Sequence, residues 1–163
     1  ISEKYGASVP YLRSKKLSND EATLKEVLKN FCDNVKFEEK YVCCIYSTAV
    51  LLENKVINSA FLKIKKLDYD LIIGVKEFES DPEFALEIKG NKLDFVNKSS
   101  YLNQKKIIKK YSDAGSFFIF NKENYFKTNY IPKKTTFIKL KNHMAVDVND
   151  KKDLKLLEVL YKK

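Results

Sequence analysis

Tyr41-Val42-Cys43-Cys44-Ile45-Tyr46 and, some twenty-five residues on, Asp70-Leu71-Ile72-Ile73-Gly74-Val75 are the two stretches whose reading decides the fold. Each is almost continuously apolar, the pattern of a strand covered on both faces rather than one. Between them Val56, Ile57, Ala60, Phe61 and Ile64 recur at helical spacing, so the local order is strand, helix, strand. Upstream, Leu24, Val27, Leu28 and Phe31 form another helical stripe, with Ser18 and Glu21 at capping-box spacing ahead of it. Downstream, residues 84–89 and 93–96 flank Gly90-Asn91, which suit the positive φ of a tight hairpin turn. A polar stretch from Gln104 to Tyr111 reads as helical at its end, and Gly115 breaks the chain before a third buried strand, Ser116-Phe117-Phe118-Ile119-Phe120. Residues 135–140 and 145–148 read as short strands, and Asp150 caps a last helix with Leu154, Leu157 and Leu160 on one face.

This is an α/β layer fold with a mostly parallel sheet and an inserted hairpin arm. In such folds ligands sit beyond the C-terminal ends of the strands. Here those ends are Tyr46-Ser47-Thr48, Val75-Lys76-Glu77, Asp113-Ala114-Gly115 and Asp147-Val148-Asn149.

The chain's 163 residues suit a single domain, 1–163, and its 44% hydrophobic content excludes disorder. No apolar run of membrane-spanning length occurs. The net charge of +9 invites a nucleic-acid reading, but Arg13 is the one arginine among 31 basic residues, whereas base and phosphate readers favour the bidentate guanidinium. The expectation is no nucleic acid and no membrane. Cys32, Cys43 and Cys44 lack zinc spacing and are odd in number, so they read as reduced thiols in a cytoplasmic protein, Cys43 and Cys44 as small buried hydrophobes.

Four segments in order carry a resemblance. They are Lys4-Tyr5-Gly6-Ala7-Ser8-Val9-Pro10-Tyr11-Leu12-Arg13 with Leu17-Ser18-Asn19-Asp20; Cys43-Cys44-Ile45-Tyr46-Ser47-Thr48-Ala49; Gln104 with Tyr111-Ser112-Asp113-Ala114-Gly115-Ser116-Phe117; and Ala145-Val146-Asp147-Val148-Asn149 with Asp153-Leu154. Together they resemble the CMP-nonulosonate synthetase (acylneuraminate cytidylyltransferase) family, its pseudaminate branch more than its sialate branch. The resemblance implies a Rossmann-like nucleotide-diphospho-sugar transferase fold and an enzyme that joins CMP from CTP to a nonulosonic acid, releasing pyrophosphate, for surface glycan or flagellin glycosylation. It also implies Mg²⁺, a hard ion that takes one or two carboxylates alongside phosphate oxygens, and a homodimer in which residues 84–107 form the dimerisation arm.

Carried onto this sequence, the resemblance makes Arg13 and Asp147 catalytic residues. Arg13 can grip a phosphate or carboxylate bidentately; the alternative is a surface arginine beside Lys15 and Lys16. Asp147 would hold the metal with Asn149, since residues two apart at a strand end point the same way; the family's second acid is replaced by Asn149. The alternative is that both merely open the last helix. Tyr46 and Thr48 face the cytidine, with strand packing the alternative for Tyr46, and Val50 stands where the family has a stiffening Pro. Gln104, Asp113 and Gly115 face the sugar, with an ordinary turn as the alternative for the last two. His143, the single histidine, lies outside every matching segment and reads as structural or exposed.

The family's Gly- and basic-rich phosphate loop has no counterpart among the four isolated glycines. The expectation is therefore a chain that lacks the N-terminal βαβ part and is inactive alone, with the loop encoded upstream of Ile1. A non-catalytic truncated homologue acting in binding or assembly, or a Lys-rich nucleic-acid-binding domain, are the alternatives.

Overall fold

The computed structural model describes residues 1–99, 108–128, 131–146 and 148–162. The first α-helix, α1 (Leu24–Asn34), starts later than the Ser18 spacing implies. Thr23 is its N-cap, with a reciprocal capping box to Glu26, whereas Lys15–Ser18 forms a separate 3-10 turn. Thr23-Leu24-Lys25-Glu26 has the same Ser/Thr-x-x-Glu spacing and adjoins the apolar stripe directly, so it wins the competition for the cap.

Strand β1 (Tyr41–Ile45), helix α2 (Asn54–Leu67) and strand β2 (Leu71–Glu77) follow in the expected order. After β2 come a small hairpin of β3 (Leu86–Lys89) and β4 (Lys92–Phe95), the long strand β5 (Tyr111–Asn121), strand β6 (Thr135–Lys139) and helix α3 (Lys151–Tyr161). At the hairpin turn Gly90 takes φ +62°, while Asn91 stays at negative φ.

The main sheet has the order β1-β5-β2-β6. β1, β2 and β6 run the same way, but β5 lies between β1 and β2 and runs against both, so of the three ladders only β2·β6 is parallel. The expectation of a mostly parallel ladder is corrected here. Glu77 at the end of β2 pairs with Tyr111 at the start of β5: the chain leaves the sheet for the hairpin excursion and returns beside its exit point, which forces an antiparallel partner.

β5 alternates cleanly. Phe117 and Ile119 point to one face with Ile72, Ala60 and Ile64 of α2; Phe118 and Phe120 point to the other with Leu71 and Leu28 of α1. Both faces are apolar because each is covered by a helix, which is why this strand reads as an unbroken apolar run. Burying one such Phe stabilises the fold by roughly 1.5–3 kcal/mol.

β1 differs from its sequence reading. It is an edge of the described sheet, and Cys43 and Ile45 are exposed, Ile45 at 52%. Cys43 is therefore not the buried hydrophobe its neighbours suggest, because β1 pairs with β5 alone. Residues 145, 146 and 148 are not strand; Asn142–Met144 forms a 3-10 turn, and the described residues between it and Asp150 are irregular. The helix expected at the end of the 104–111 stretch does not extend over 108–110, which are irregular, and Tyr111 already belongs to β5; residues 100–107 lie outside the described residues.

Candidate active site

The site is built on an irregularity in β5. Ile73 pairs with Phe118, yet Val75, two residues further along β2, pairs with Asp113, five residues back along β5. The surplus residues of β5 form a bulge around Gly115, which takes φ +59°. Gly115 does not break the strand, as its sequence context suggests; it kinks it. The backbone N–H of Gly115 donates to Asp113 Oδ1 at 2.8 Å, and buried Ser116 donates from its hydroxyl to the Ala114 carbonyl at 3.1 Å. A bulge re-aims side chains, and bulges are over-represented beside active sites.

β1 ends against this bulge. Tyr46 N–H donates to the Ser116 carbonyl at 2.9 Å, and Ala49 N–H donates to the Tyr46 carbonyl at 3.0 Å, closing a turn through Ser47 and Thr48. Tyr46 and Asp113 thereby meet on the α1 side of the sheet, in a cavity of about 370 Å³ that also involves Lys25 of α1, Phe118, Tyr125 and Ile131. That size falls in the range of small-molecule sites. Burial, then the Asp113 carboxylate, push the Tyr46 phenol above its ordinary value, so at neutral pH it is a protonated hydroxyl able to donate. The Tyr125 phenol is raised too, by burial and then by Cys44.

The remaining sequence candidates are dispersed. Thr48 is half-buried in the turn beside the cavity but is not part of its wall, and Gly115 acts through backbone shape. Arg13 is exposed on an irregular stretch rather than at a strand end; that stretch is anchored to α1 by Tyr11, whose hydroxyl donates to Asn30 Oδ1 at 3.0 Å. Gln104 and Asp147 lie outside the described residues. Ala145 is held at the same end of the sheet, because Lys76 Nζ donates to its carbonyl at 3.1 Å and it shares a buried cluster with Ala114. Asn149 is exposed, and its N–H donates to the Asp153 carboxylate at 2.9 Å. His143 is exposed in a 3-10 turn, the exposed alternative of its sequence reading.

Asp150 and Asp153 are committed to capping α3: Asp150 Oδ1 accepts from the N–H of Lys152 and Asp153, and Asp153 accepts from the N–H of Asp150. Among the described residues no three His, Cys, Asp or Glu side chains converge. The described residues thus form no closed metal cage, and Asp147 lies outside them.

The sequence reading missed Lys25 and Tyr125. Lys25 sits one position off the apolar stripe of α1, and Tyr125 lies in a polar turn after β5, where the adjoining aromatic Phe126 was the available signal.

The match of a cytidylyltransferase sequence family to residues 1–162 covers the fold and this site together. The chain belongs to the cytidylyltransferase family. Among curated members, the pseudaminic acid cytidylyltransferase of Campylobacter jejuni is 27% identical over 169 residues, 99% of this chain and 72% of its own. The N-acylneuraminate cytidylyltransferase of Streptococcus agalactiae is 25% identical over 145 residues, 87% of this chain and 35% of its own. A Helicobacter pylori protein named as both pseudaminic acid cytidylyltransferase and UDP-2,4-diacetamido-2,4,6-trideoxy-beta-L-altropyranose hydrolase is 30% identical over 123 residues, 73% of this chain and 23% of its own. The crystal structure of a 4-diphosphocytidyl-2C-methyl-D-erythritol synthase from Anaerococcus prevotii superposes with a TM-score of 0.63 at 10% identity, over 99% of this chain and 74% of that one. At that identity the likeness is one of fold: this cytidylyltransferase has the mixed α/β architecture of a nucleotidyl-transferring enzyme. No helix among the described residues is long and apolar enough to cross a membrane.

Proposed function

We propose that this cytidylyltransferase transfers CMP from CTP to a nonulosonic acid of the pseudaminic or sialic type, releasing pyrophosphate, in the cytoplasm and in the service of surface glycosylation. The observation that carries the reading is the meeting of Tyr46 and Asp113 in one cavity at the C-terminal end of the sheet, in a chain of this family. In the step, the sugar's anomeric hydroxyl oxygen forms a bond to the α-phosphorus as the bond to pyrophosphate breaks, and the hydroxyl proton is lost. Asp113 accepts hydrogen bonds from sugar hydroxyl or amide groups, since an ionised carboxylate is acceptor-only. The protonated Tyr46 phenol donates to the ligand, and the Thr48 turn positions the cytidine. Gly115 holds Asp113 in place, and Gln104 reaches the sugar. Arg13 grips a phosphate or carboxylate bidentately.

Asp147, with Asn149 alongside, would hold Mg²⁺, which would supply charge neutralisation at the α-phosphate. The hairpin β3–β4 acts as a dimerisation arm. Leu86, Ile88, Leu93 and Val96 are 50%, 76%, 63% and 65% exposed, and an isolated two-stranded hairpin is marginal without a partner surface.

The test is pyrophosphate release from CTP and Mg²⁺ with pseudaminate or N-acetylneuraminate as acceptor. Sugar-dependent release supports the assignment, and its absence with every nonulosonate overturns it.

A further inference from the structure

The polar row that holds Asp113 continues across the sheet. Val75 pairs with Asp113 on one side and with Lys139, the last residue of β6, on the other. Paired residues of adjacent strands point to one face, so Lys139 shares the face of Asp113, and two strand spacings set their backbones about 10 Å apart. Two residues further along, Glu77 and Tyr111 form the next pair on that face. Lys139 Nζ donates to the Tyr111 hydroxyl oxygen at 2.6 Å, and Lys109 Nζ pairs with Glu77 Oε1 at 2.7 Å while also acting electrostatically on Tyr111. The charges of Lys109 and Glu77 offset each other. Lys139 has no carboxylate partner among the described ion pairs. An ammonium carries donors only, so the phenol oxygen is the acceptor in this contact and its own O–H is aimed elsewhere. The remaining N–H groups of Lys139 and the Tyr111 O–H therefore stand as donors for which the described hydrogen bonds supply no acceptor.

Resting on the reading that CTP and a carboxylic-acid acceptor react at this end of the sheet, we infer that Lys139 and Tyr111 form an oxyanion subsite, which takes the acceptor's carboxylate or a phosphate of CTP. Lys139 lies outside every segment that carries the family resemblance. Its position nonetheless complements Asp113. The Asp113 carboxylate repels an anion and accepts from hydroxyl or amide groups, whereas Lys139 and the Tyr111 O–H only donate. The row is thus polarised across β5, β2 and β6, and it orients a reactant that carries hydrogen-bond donors on one side and an oxyanion on the other. The contact with Tyr111 already fixes the long lysine side chain, so less of its freedom is lost when an anion binds.

The experiment uses the full chain with CTP, Mg²⁺ and pseudaminate or N-acetylneuraminate, and measures pyrophosphate release. Lys139 is exposed on an edge strand, so Lys139→Met leaves the core intact. It is expected to raise one KM roughly tenfold, near the lower end of what a charged hydrogen bond is worth, with kcat within about threefold. A rise for the acceptor assigns the subsite to the carboxylate, and a rise for CTP assigns it to phosphate. Tyr111→Phe raises the same KM roughly threefold, and the double variant raises it by less than the product of the two, because one group orients the other. Lys139→Arg keeps a cation and stays within about threefold of the native chain, whereas Lys66→Met, which removes an exposed charge from the last turn of α2, moves neither KM. Unchanged KM values in Lys139→Met, or an equal loss in Lys66→Met, overturn the inference while pyrophosphate release keeps the proposed function standing. If no nonulosonate yields pyrophosphate, calorimetric binding of CTP and of each sugar decides: weaker binding by Lys139→Met than by the native chain keeps the subsite without the proposed function, and equal or absent binding overturns both.

Discussion

Two glycines of the sheet answer the same substitution through different physics, and comparing them tests how the site is shaped. Gly74, in the middle of β2, has ordinary strand backbone, but an added Cβ would stand 3.1 Å from Leu140 Cδ1 and 3.3 Å from Phe117 Cε1. Phe117 is 1% and Leu140 6% exposed, so neither has room to retreat. Gly74→Ala is an overpacking mutation expected to cost about 2 kcal/mol, within the usual 1–3 kcal/mol. At Gly115 the reverse holds: nothing lies within 4 Å of the place a methyl would occupy, but φ is +59°. The left-handed backbone costs an L-residue about 1–2 kcal/mol, and the stiffer unfolded chain returns roughly 0.4–1 kcal/mol, so Gly115→Ala is expected to cost about 1 kcal/mol. Asn tolerates that backbone, so Gly115→Asn should cost less than Gly115→Ala, whereas Gly74→Asn should cost more than Gly74→Ala. Urea denaturation followed by circular dichroism reads both orders. With a slope of about 2 kcal/mol/M, Gly74→Ala lowers the midpoint by about 1 M and Gly115→Ala by about 0.5 M. The reasoning is refuted if Asn is worse than Ala at Gly115, or if Gly74→Ala leaves the midpoint in place.

The other predictions concern single contacts. Asp150→Ala removes the acceptor for two backbone N–H groups of α3 and should cost about 1 kcal/mol, read as a lower denaturation midpoint with secondary structure otherwise retained. Asp113→Ala should lower kcat/KM for the acceptor sugar by roughly 10–100-fold, the loss of a charged hydrogen-bond partner, with KM for CTP little changed; an equal loss on both substrates would move Asp113 away from the sugar. Asp81, at the foot of the arm, accepts from Glu83 N–H and then from Lys110 Nζ, and both hold its carboxyl below the ordinary value. Its contribution to the fold is therefore present above about pH 3.9 and fades as the pH falls through its own lower titration; an NMR midpoint for Asp81 at or above about 3.9 would contradict this. Cys43 is exposed on the edge of β1, yet its thiol is pushed up to about 11, first by desolvation and then by Cys44. Alkylation of Cys43 at pH 8 should run roughly a hundredfold slower than that of a free thiol, and labelling at the free rate would show that its sulfur is solvated.

The helices and the buried strands were legible because their patterns are local. The stripe from Val56 to Ile64 and the alternation from Phe117 to Phe120 each declare their own period, and the α/β layering follows from having both. What the sequence did not disclose is which strand lies beside which. β1, α2 and β2 read as strand, helix, strand, but the slot between the two strands belongs to β5, and that placement depends on Tyr111 returning to Glu77, a contact across more than thirty residues. Cys43 reads as buried for the same reason: its composition is that of a central strand, and its exposure is set by its lacking a second partner. At the site, Tyr46 could be marked from a strand end and family likeness, but Asp113 from family likeness alone, since it lies near the start of β5 and not at a C-terminal strand end as expected; Lys25 and Tyr125 could not, because a lysine beside a stripe and an aromatic in a turn carry no periodic signal.

The reversed placement of β5 also sets a timetable for the chain as it is made. β1, α2 and β2 emerge before β5 and in an order that looks self-sufficient, yet β1 and β2 share no ladder and are joined through β5. Forty-four residues separate the end of β2 at Glu77 from the end of β5 at Asn121, which at about 5–20 residues per second is a wait of roughly 2–9 s. Through that interval the nascent chain carries two apolar strands with no hydrogen-bonded neighbour, and the arrival of Tyr111–Asn121 stitches both in a single event, so the ribosome-bound intermediate is where this protein is most exposed to capture by chaperones or by other unfinished chains.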